Sequence, residues 1–321
     1  MGTLFNILKF IKRKERMKAQ ASSKWFIAFC EQHIKIIAKE RTEKTLANYQ
    51  CALHSFKKFL VYKDIKFSQF SPQLMKRYAE WLERQKLKPN SISAYLRVLR
   101  TIYYRAEDAG VAPHQPSLFK HVYTGVDNTQ KRAVAEEVIK ELFEMELPEN
   151  TALALARDVF LFSFFMRGMA FVDVAHLRLN NVDGEYVVRY TRSKTKQRIT
   201  VKMPQLAINI MERYQGLSDT YVLPLIKTKG SEEGYKNYDS AISNYNRLLK
   251  CLEEKLTTPC KLTSYVARHS WASISYSHDM SIKLISEGLG HSNERTTQIY
   301  IKQMGGNAVD KANTELLSFI E

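Results

Sequence analysis

Leu289-Gly290-His291-Ser292-Asn293-Glu294-Arg295-Thr296-Thr297-Gln298-Ile299-Tyr300 is the stretch from which the rest of this 321-residue chain can be read. It is a helix ended by glycine, a sharp turn that carries a histidine, then a short helix delivering a tyrosine nine residues on. Just upstream, Leu262-Thr263-Ser264-Tyr265-Val266-Ala267-Arg268-His269-Ser270 offers Thr263 or Ser264 as a helix cap, with Arg268 one turn beyond Tyr265 on the same face. A lone Gly-His says nothing, and Tyr300 is one of 17 tyrosines. An arginine box, then Leu-Gly-His, then Thr-Thr-x-x-Tyr, in this order and at this spacing, is specific.

The composition bounds what such a stretch can serve. A chain of this length fits two domains, each burying its own core. Its formal net charge of +16 is unevenly spread: residues 1–126 hold 24 Lys and Arg against 9 Asp and Glu, while residues 127–321 hold 25 against 24. A basic front third interleaved with Trp, Tyr and Phe is the expected polyanion-binding surface, because neutralising phosphates releases condensed counterions. No apolar run approaches the roughly 20 residues of a membrane span. Cys30, Cys51, Cys251 and Cys260 form no Cys-x-x-Cys pair, which argues against a zinc site or disulfide framework and fits a reducing cytosol. Residues 1–21 read as a basic N-terminal arm.

Residues 22–110 read as helices throughout. Leu46, Tyr49, Leu53, Phe56 and Leu60 alternate spacings of three and four, Ser71-Pro72 is a cap followed by a first-turn proline, and Pro89-Asn90-Ser91 starts the clearest helix. That last helix has a stripe of Ile92, Tyr95, Leu96, Leu99, Ile102, Tyr103 and Ala106, with Arg97, Arg100 and Arg105 elsewhere. Residues 111–130, with Pro113, Pro116 and Gly125, read as a linker. In residues 131–321, Ala133–Met145 is an acidic amphipathic helix and Thr151 caps an apolar one that runs into Met166-Arg167-Gly168-Met169-Ala170-Phe171-Val172-Asp173. Residues 186–190 and 198–202 are β-rich and flank a tip loaded with Arg192, Lys194 and Lys196. Thr228–Ser240 reads as an exposed polar loop, and Val309 to Phe319 as a final amphipathic helix.

Together these motifs resemble the catalytic signature of the tyrosine recombinase (phage integrase) family, over about residues 22–310. The resemblance implies a mainly α chain with a small β-sheet. A helical core-binding domain (22–110) that grips duplex DNA would precede an α+β catalytic domain (131–321). It implies Tyr300 as nucleophile, Arg268 on the scissile phosphate, and His291 bonding that phosphate or accepting the tyrosine proton. Lys194, followed by Thr195 as in the family, would protonate the leaving 5′ oxygen. No metal or other cofactor is implied. Two positions depart from the pattern. Ala170 stands where the first catalytic arginine is expected, which leaves Arg167, one turn back, as a substitute guanidinium or else a structural partner for Asp158 or Asp173. Tyr265 stands where the box has histidine; it can donate a hydrogen bond but is a poor base near neutral pH.

The expected activity is therefore site-specific cleavage and rejoining of DNA through a 3′-phosphotyrosine, for integration, excision or inversion of an element. The alternatives are a catalytically degenerate DNA-binding relative and a type IB topoisomerase. Partners implied are double-stranded DNA, three further copies in a homotetramer linked by exchange of the C-terminal helix, and an accessory DNA-bending protein. The setting implied is the cytoplasm, at the nucleoid.

Overall fold

Ser71 and Pro72 begin a helix for separable reasons: the serine Oγ accepts from the Leu74 N–H at 3.1 Å, and proline at the first position has no N–H to leave unpaired. The computed structural model describes residues 24–39, 43–127, 133–227, 237–291 and 293–301, with the side chains of 299–301 left out. The N-terminal arm, most of the polar loop at 228–236 and the final amphipathic helix lie outside these residues. The chain divides into two compact units, Met1–Thr129 and Gln130–Glu321.

The first unit is built from α1 (Phe26–Ile37), α2 (Glu43–Phe59), α3 (Pro72–Arg84) and α4 (Pro89–Asp108). Its core is aromatic: the Phe26 ring lies 4.5 Å from Phe70 and 5.5 Å from both Phe56 and Phe67, and the Tyr78 ring lies 4.9 Å from Phe56. Tyr78 keeps its polar end satisfied by donating to Ser55 Oγ at 2.9 Å. Trp25 cannot cap α1 with its side chain, and Asp64 does so from a loop, accepting from the Ile27 and Ala28 N–H groups at 2.8 and 3.2 Å. Part of the segment read as a linker belongs to this core. Leu118 and Phe119 are buried in it, and Asn90 on α4 exchanges two hydrogen bonds with the Asp127 backbone at 3.0 and 2.8 Å.

The second unit packs around α6 (Ala152–Phe165), which is apolar on nearly every side and correspondingly buried, as Val159, Phe160 and Phe162 are. Thr151 caps it by accepting from the Ala154 N–H at 3.1 Å. Around it lie α5 (Glu136–Glu144), α8 (Gln205–Arg213), α9 (Tyr238–Glu253) and α10 (Val266–Ser277), while α7 (Phe171–Ala175), α11 (Ile282–Gly288) and α12 (Glu294–Ile301) complete the α-helices among the described residues. The one buried carboxylate of α6, Asp158, accepts from Arg157 Nε at 2.8 Å, Arg213 Nη1 at 2.5 Å and Tyr214 Oη at 2.8 Å. It thus ties α6 to α8 and has no need of Arg167.

β1 (Val187–Thr191) and β2 (Arg198–Lys202) pair antiparallel, with Val188 opposite Val201 and Tyr190 opposite Ile199. Ile199 and Val201 turn inward and their neighbours outward, the period of two that strands impose. Two local expectations are revised. Asn237 caps α9 by accepting from the Ser240 N–H at 2.9 Å, so the polar stretch is already helical from Tyr238. Neither Thr263 nor Ser264 caps α10, whose cap position is Tyr265, with no side-chain cap bond. Among the described residues no helix is long and apolar enough to cross a membrane.

Candidate active site

The end of α11 supplies carbonyls that its own helix cannot satisfy, and two arginines meet them. Gly290, at φ +61°, turns the chain out of the helix, a conformation that side chains with a Cβ disfavour. A methyl group there would also fall 2.4 Å from Ile199 Cδ1, so the turn is pressed onto the inner face of β2. Arg268 donates from Nη2 to the Leu289 carbonyl, and Arg192 donates from Nη1 to the Gly290 carbonyl at 2.6 Å. Cationic donors at a helix C-terminus also face the negative end of its dipole.

Arg268 enters from the first turn of α10 and is only 2% exposed. Its other terminal nitrogen, Nη1, donates to the Gly168 carbonyl at 2.8 Å. Gly168 sits at φ +65°, and a Cβ there would lie 2.9 Å from the Arg268 Cα. Glycine is thus required for backbone to meet backbone at this point, and the contact fixes where the guanidinium goes.

His291 follows the turn. Its Nε2 lies 3.2 Å from Arg268 Nη2, and its Nδ1 lies 2.8 Å from Thr297 Oγ1 on α12. Arginine only donates, so Nε2 accepts and Nδ1 carries the proton, which goes to the threonine oxygen; the tautomer follows from the partners. Burial, with the charges of Arg268, Arg192 and Lys194 added, pushes the imidazole pKa from 6.5 down to about 3. The neutral ring therefore accepts at Nε2 from Arg268 and donates at Nδ1 to Thr297.

The loop between the strands is held at its base. Asp173 on α7 accepts from the Ser193 N–H at 2.9 Å, and Thr195 Oγ1 reaches the Gly290 carbonyl at 3.4 Å. Between them Lys194 is exposed, close enough for its charge to act on His291.

The sequence-predicted residues are thus partly gathered. Arg268 and His291 touch, and the charge of Lys194 acts on His291. Arg167 is not on a helical turn preceding Ala170: α6 has ended at Phe165, and Arg167 is exposed at φ +58°. Its charge is nonetheless felt by Tyr190, as are those of Arg268 and Arg192. Tyr265 is 38% exposed and meets His269 edge-on at 5.0 Å. Tyr300 lies in the last turn of α12, three residues past Thr297; its side chain is outside the description.

Two participants were not singled out from sequence, Arg192 and Thr297, although each carried a signal. Val188, Tyr190 and Arg192 share one strand parity, which aims Arg192 to the same side as the buried Val188. Thr297 was visible only as part of the Thr-Thr-x-x-Tyr spacing.

Compared with known proteins, residues 134–305 match the phage integrase family model and residues 25–122 match the phage integrase SAM-like domain model. A similar curated protein is tyrosine recombinase XerD of Listeria innocua serovar 6a, 20% identical over 283 residues that span 84% of this chain and 91% of the relative. The fold is similar to that of the Tn1549 transposon integrase solved with transposon right end DNA, at a TM-score of 0.70 and 13% identity, covering 91% of this chain and 99% of that one. It is similar too to a lambda integrase tetramer bound to a Holliday junction, at a TM-score of 0.68 and 11% identity, covering 88% and 79%.

Proposed function

This chain belongs to the phage integrase family, and from that membership we propose that it is a site-specific DNA recombinase working through a 3′-phosphotyrosine. The observation that carries the reading is the hydrogen bond between buried Arg268 and half-buried His291, beside the Lys194 loop and tied by Thr297 to the helix that bears Tyr300.

The reaction follows from what each group can do. The Tyr300 oxygen attacks the scissile phosphorus in line, forming a P–O bond to tyrosine as the bond to the 5′ oxygen breaks. Its proton passes to water, because the His291 Nε2 lone pair is engaged by Arg268, while Lys194 delivers a proton to the departing 5′ oxygen. Arg268, always charged, neutralises a nonbridging oxygen, and Tyr265 can donate to the other. Arg167 remains a candidate for the charge missing at Ala170. The products are a 3′-phosphotyrosine and a 5′-hydroxyl. Because a phosphodiester has been exchanged for a phosphodiester, a 5′-hydroxyl from another strand reverses the attack without an external energy source. In this reading the protein acts on chromosomal or element DNA in the cytoplasm, for integration, excision or inversion.

An assembly of copies fits one surface feature. α5, α6, α8 and α10 line a largely apolar groove of about 600 Å³, with Ile139, Phe143, Phe164, Phe165, Leu206 and Ile274 on its walls, Glu136, Glu137 and Lys140 also lining it, and Phe143 half exposed. Residues 309–319, outside the described region, include Leu316, Leu317 and Phe319. We assign the groove to that segment of a neighbouring copy, the exchange that would link a tetramer on DNA.

A second reading, a DNA-binding relative that does not cut, is favoured by Ala170 and Tyr265. Incubation with a duplex selected from a random pool, nicked next to the cleavage point so that the short fragment bearing the new 5′-hydroxyl escapes, separates the two. An adduct that survives denaturant in the wild type and is absent in Tyr300→Phe supports the recombinase; tight binding with no adduct overturns it.

A further inference from the structure

At the position of the expected first arginine the chain has Ala170, which serves as the cap of α7 and carries no charge. A site that stabilises a pentavalent phosphorane with one guanidinium lacks a large electrostatic contribution. Arg192 is the residue whose geometry answers this. It follows β1 directly, is 3% exposed, and donates to the Gly290 carbonyl, the neighbour of the Leu289 carbonyl that Arg268 holds. Among the described residues neither guanidinium has a carboxylate partner; Asp173, whose charge acts on Arg192, accepts at Oδ1 from the Ser193 N–H. The Nε of each arginine is buried without a hydrogen bond among the described residues.

Resting on the function proposed above, we infer that Arg192 is a catalytic residue: it supplies the second guanidinium to the scissile phosphate, in place of the arginine absent at 170. The unused Nη2 edge of Arg192 meets a nonbridging oxygen while Nη1 stays on Gly290. Two buried cations held by adjacent carbonyls of one turn, with Lys194 and a neutral histidine beside them, repel one another until an anion enters. Burial and the nearness of Arg268 both weaken the hold of Arg192 on its proton, as expected for a pair set for a shared anion. Arg192 transfers no proton in the reaction; it remains charged and offsets the charge that grows on the phosphorane. Arg167, exposed on a left-handed residue at the surface, has no such fixed direction.

The test compares two versions of the selected nicked duplex, one with the normal scissile phosphodiester and one with an uncharged methylphosphonate there, on the full chain and on Arg192→Ala and Arg167→Ala. With duplex binding retained, Arg192→Ala is expected to form the adduct roughly 100- to 1,000-fold more slowly on the phosphodiester. On the methylphosphonate it is expected to come within about tenfold of the wild type, since there is no second charge left to neutralise. If Arg192→Ala melts early, Arg192→Met replaces it, because the uncharged chain keeps most of the buried volume. Slow reaction on both substrates makes Arg192 structural and overturns the inference. So does unchanged reaction, or rescue of Arg167→Ala alone. A wild type that binds and never forms an adduct removes the recombinase reading itself, which is a different result.

Discussion

His291 is held neutral by its surroundings, and that has a measurable consequence. The folded chain keeps the ring near 3 while an unfolded chain protonates it near 6.5, so acid favours the unfolded state. The stability tied to the neutral ring is complete above about pH 6.5 and is lost as the pH falls toward 3. Melting curves from pH 7 to pH 4 should therefore fall more steeply for the wild type than for His291→Gln, whose side chain does not titrate; equal slopes would mean the ring is not held as described. Gly168 tests the packing behind Arg268. Gly168→Ala is expected to destabilise by more than about 1 kcal/mol, because it adds the left-handed penalty to a 2.9 Å approach on the Arg268 backbone. A neutral effect by denaturant titration would contradict that contact. Residues such as Arg268 and His291 were legible in the sequence because a motif named them. Arg192 was not, since it is one of several basic residues on a hairpin tip and only strand parity and burial separate it from Lys194 and Lys196.

At the scale of elements, the site depends on two ties that hold a loop and a helix. Asp173 pins the Lys194 loop through the Ser193 N–H, and Thr297 pins α12 through His291. Thr297→Val removes the oxygen that fixes the tautomer while keeping the side-chain shape. It should lower adduct formation by roughly ten- to a hundredfold, by analogy with the loss of the partner that orients a metal-bound histidine, with little change in DNA affinity. A parallel loss of affinity in a binding titration would assign Thr297 to the fold instead. The helices themselves were readable wherever a cap and a stripe coincided, as at Ser71-Pro72 and Thr151. They were misread where the signal was compositional: polar residues 237–240 begin a helix because Asn237 caps it, and Leu118 and Phe119 join a core despite their proline-rich setting.

For the whole molecule, charge and assembly are the properties to measure. Because 24 of the 49 basic residues fall within residues 1–126 against only 9 acids, DNA affinity should drop with salt mainly through that half. Replacing the exposed Lys76 and Arg77 of α3 by alanine is expected to lower the slope of log affinity against log salt by about 0.9 for each phosphate contact removed. An unchanged slope would place the DNA on another face. Removing residues 306–321 should leave cleavage of a single site intact while preventing assembly on paired sites, read by light scattering on DNA; a truncated chain that still forms tetramers would detach the apolar groove from that role. All of this rests on Tyr300 being the residue that takes the DNA. The most direct measurement digests the denatured adduct with trypsin and nuclease and locates the nucleotide by mass spectrometry. The account predicts a phosphonucleotide on the peptide Thr296-Thr297-Gln298-Ile299-Tyr300-Ile301-Lys302, at the tyrosine. A nucleotide on any other residue would contradict it.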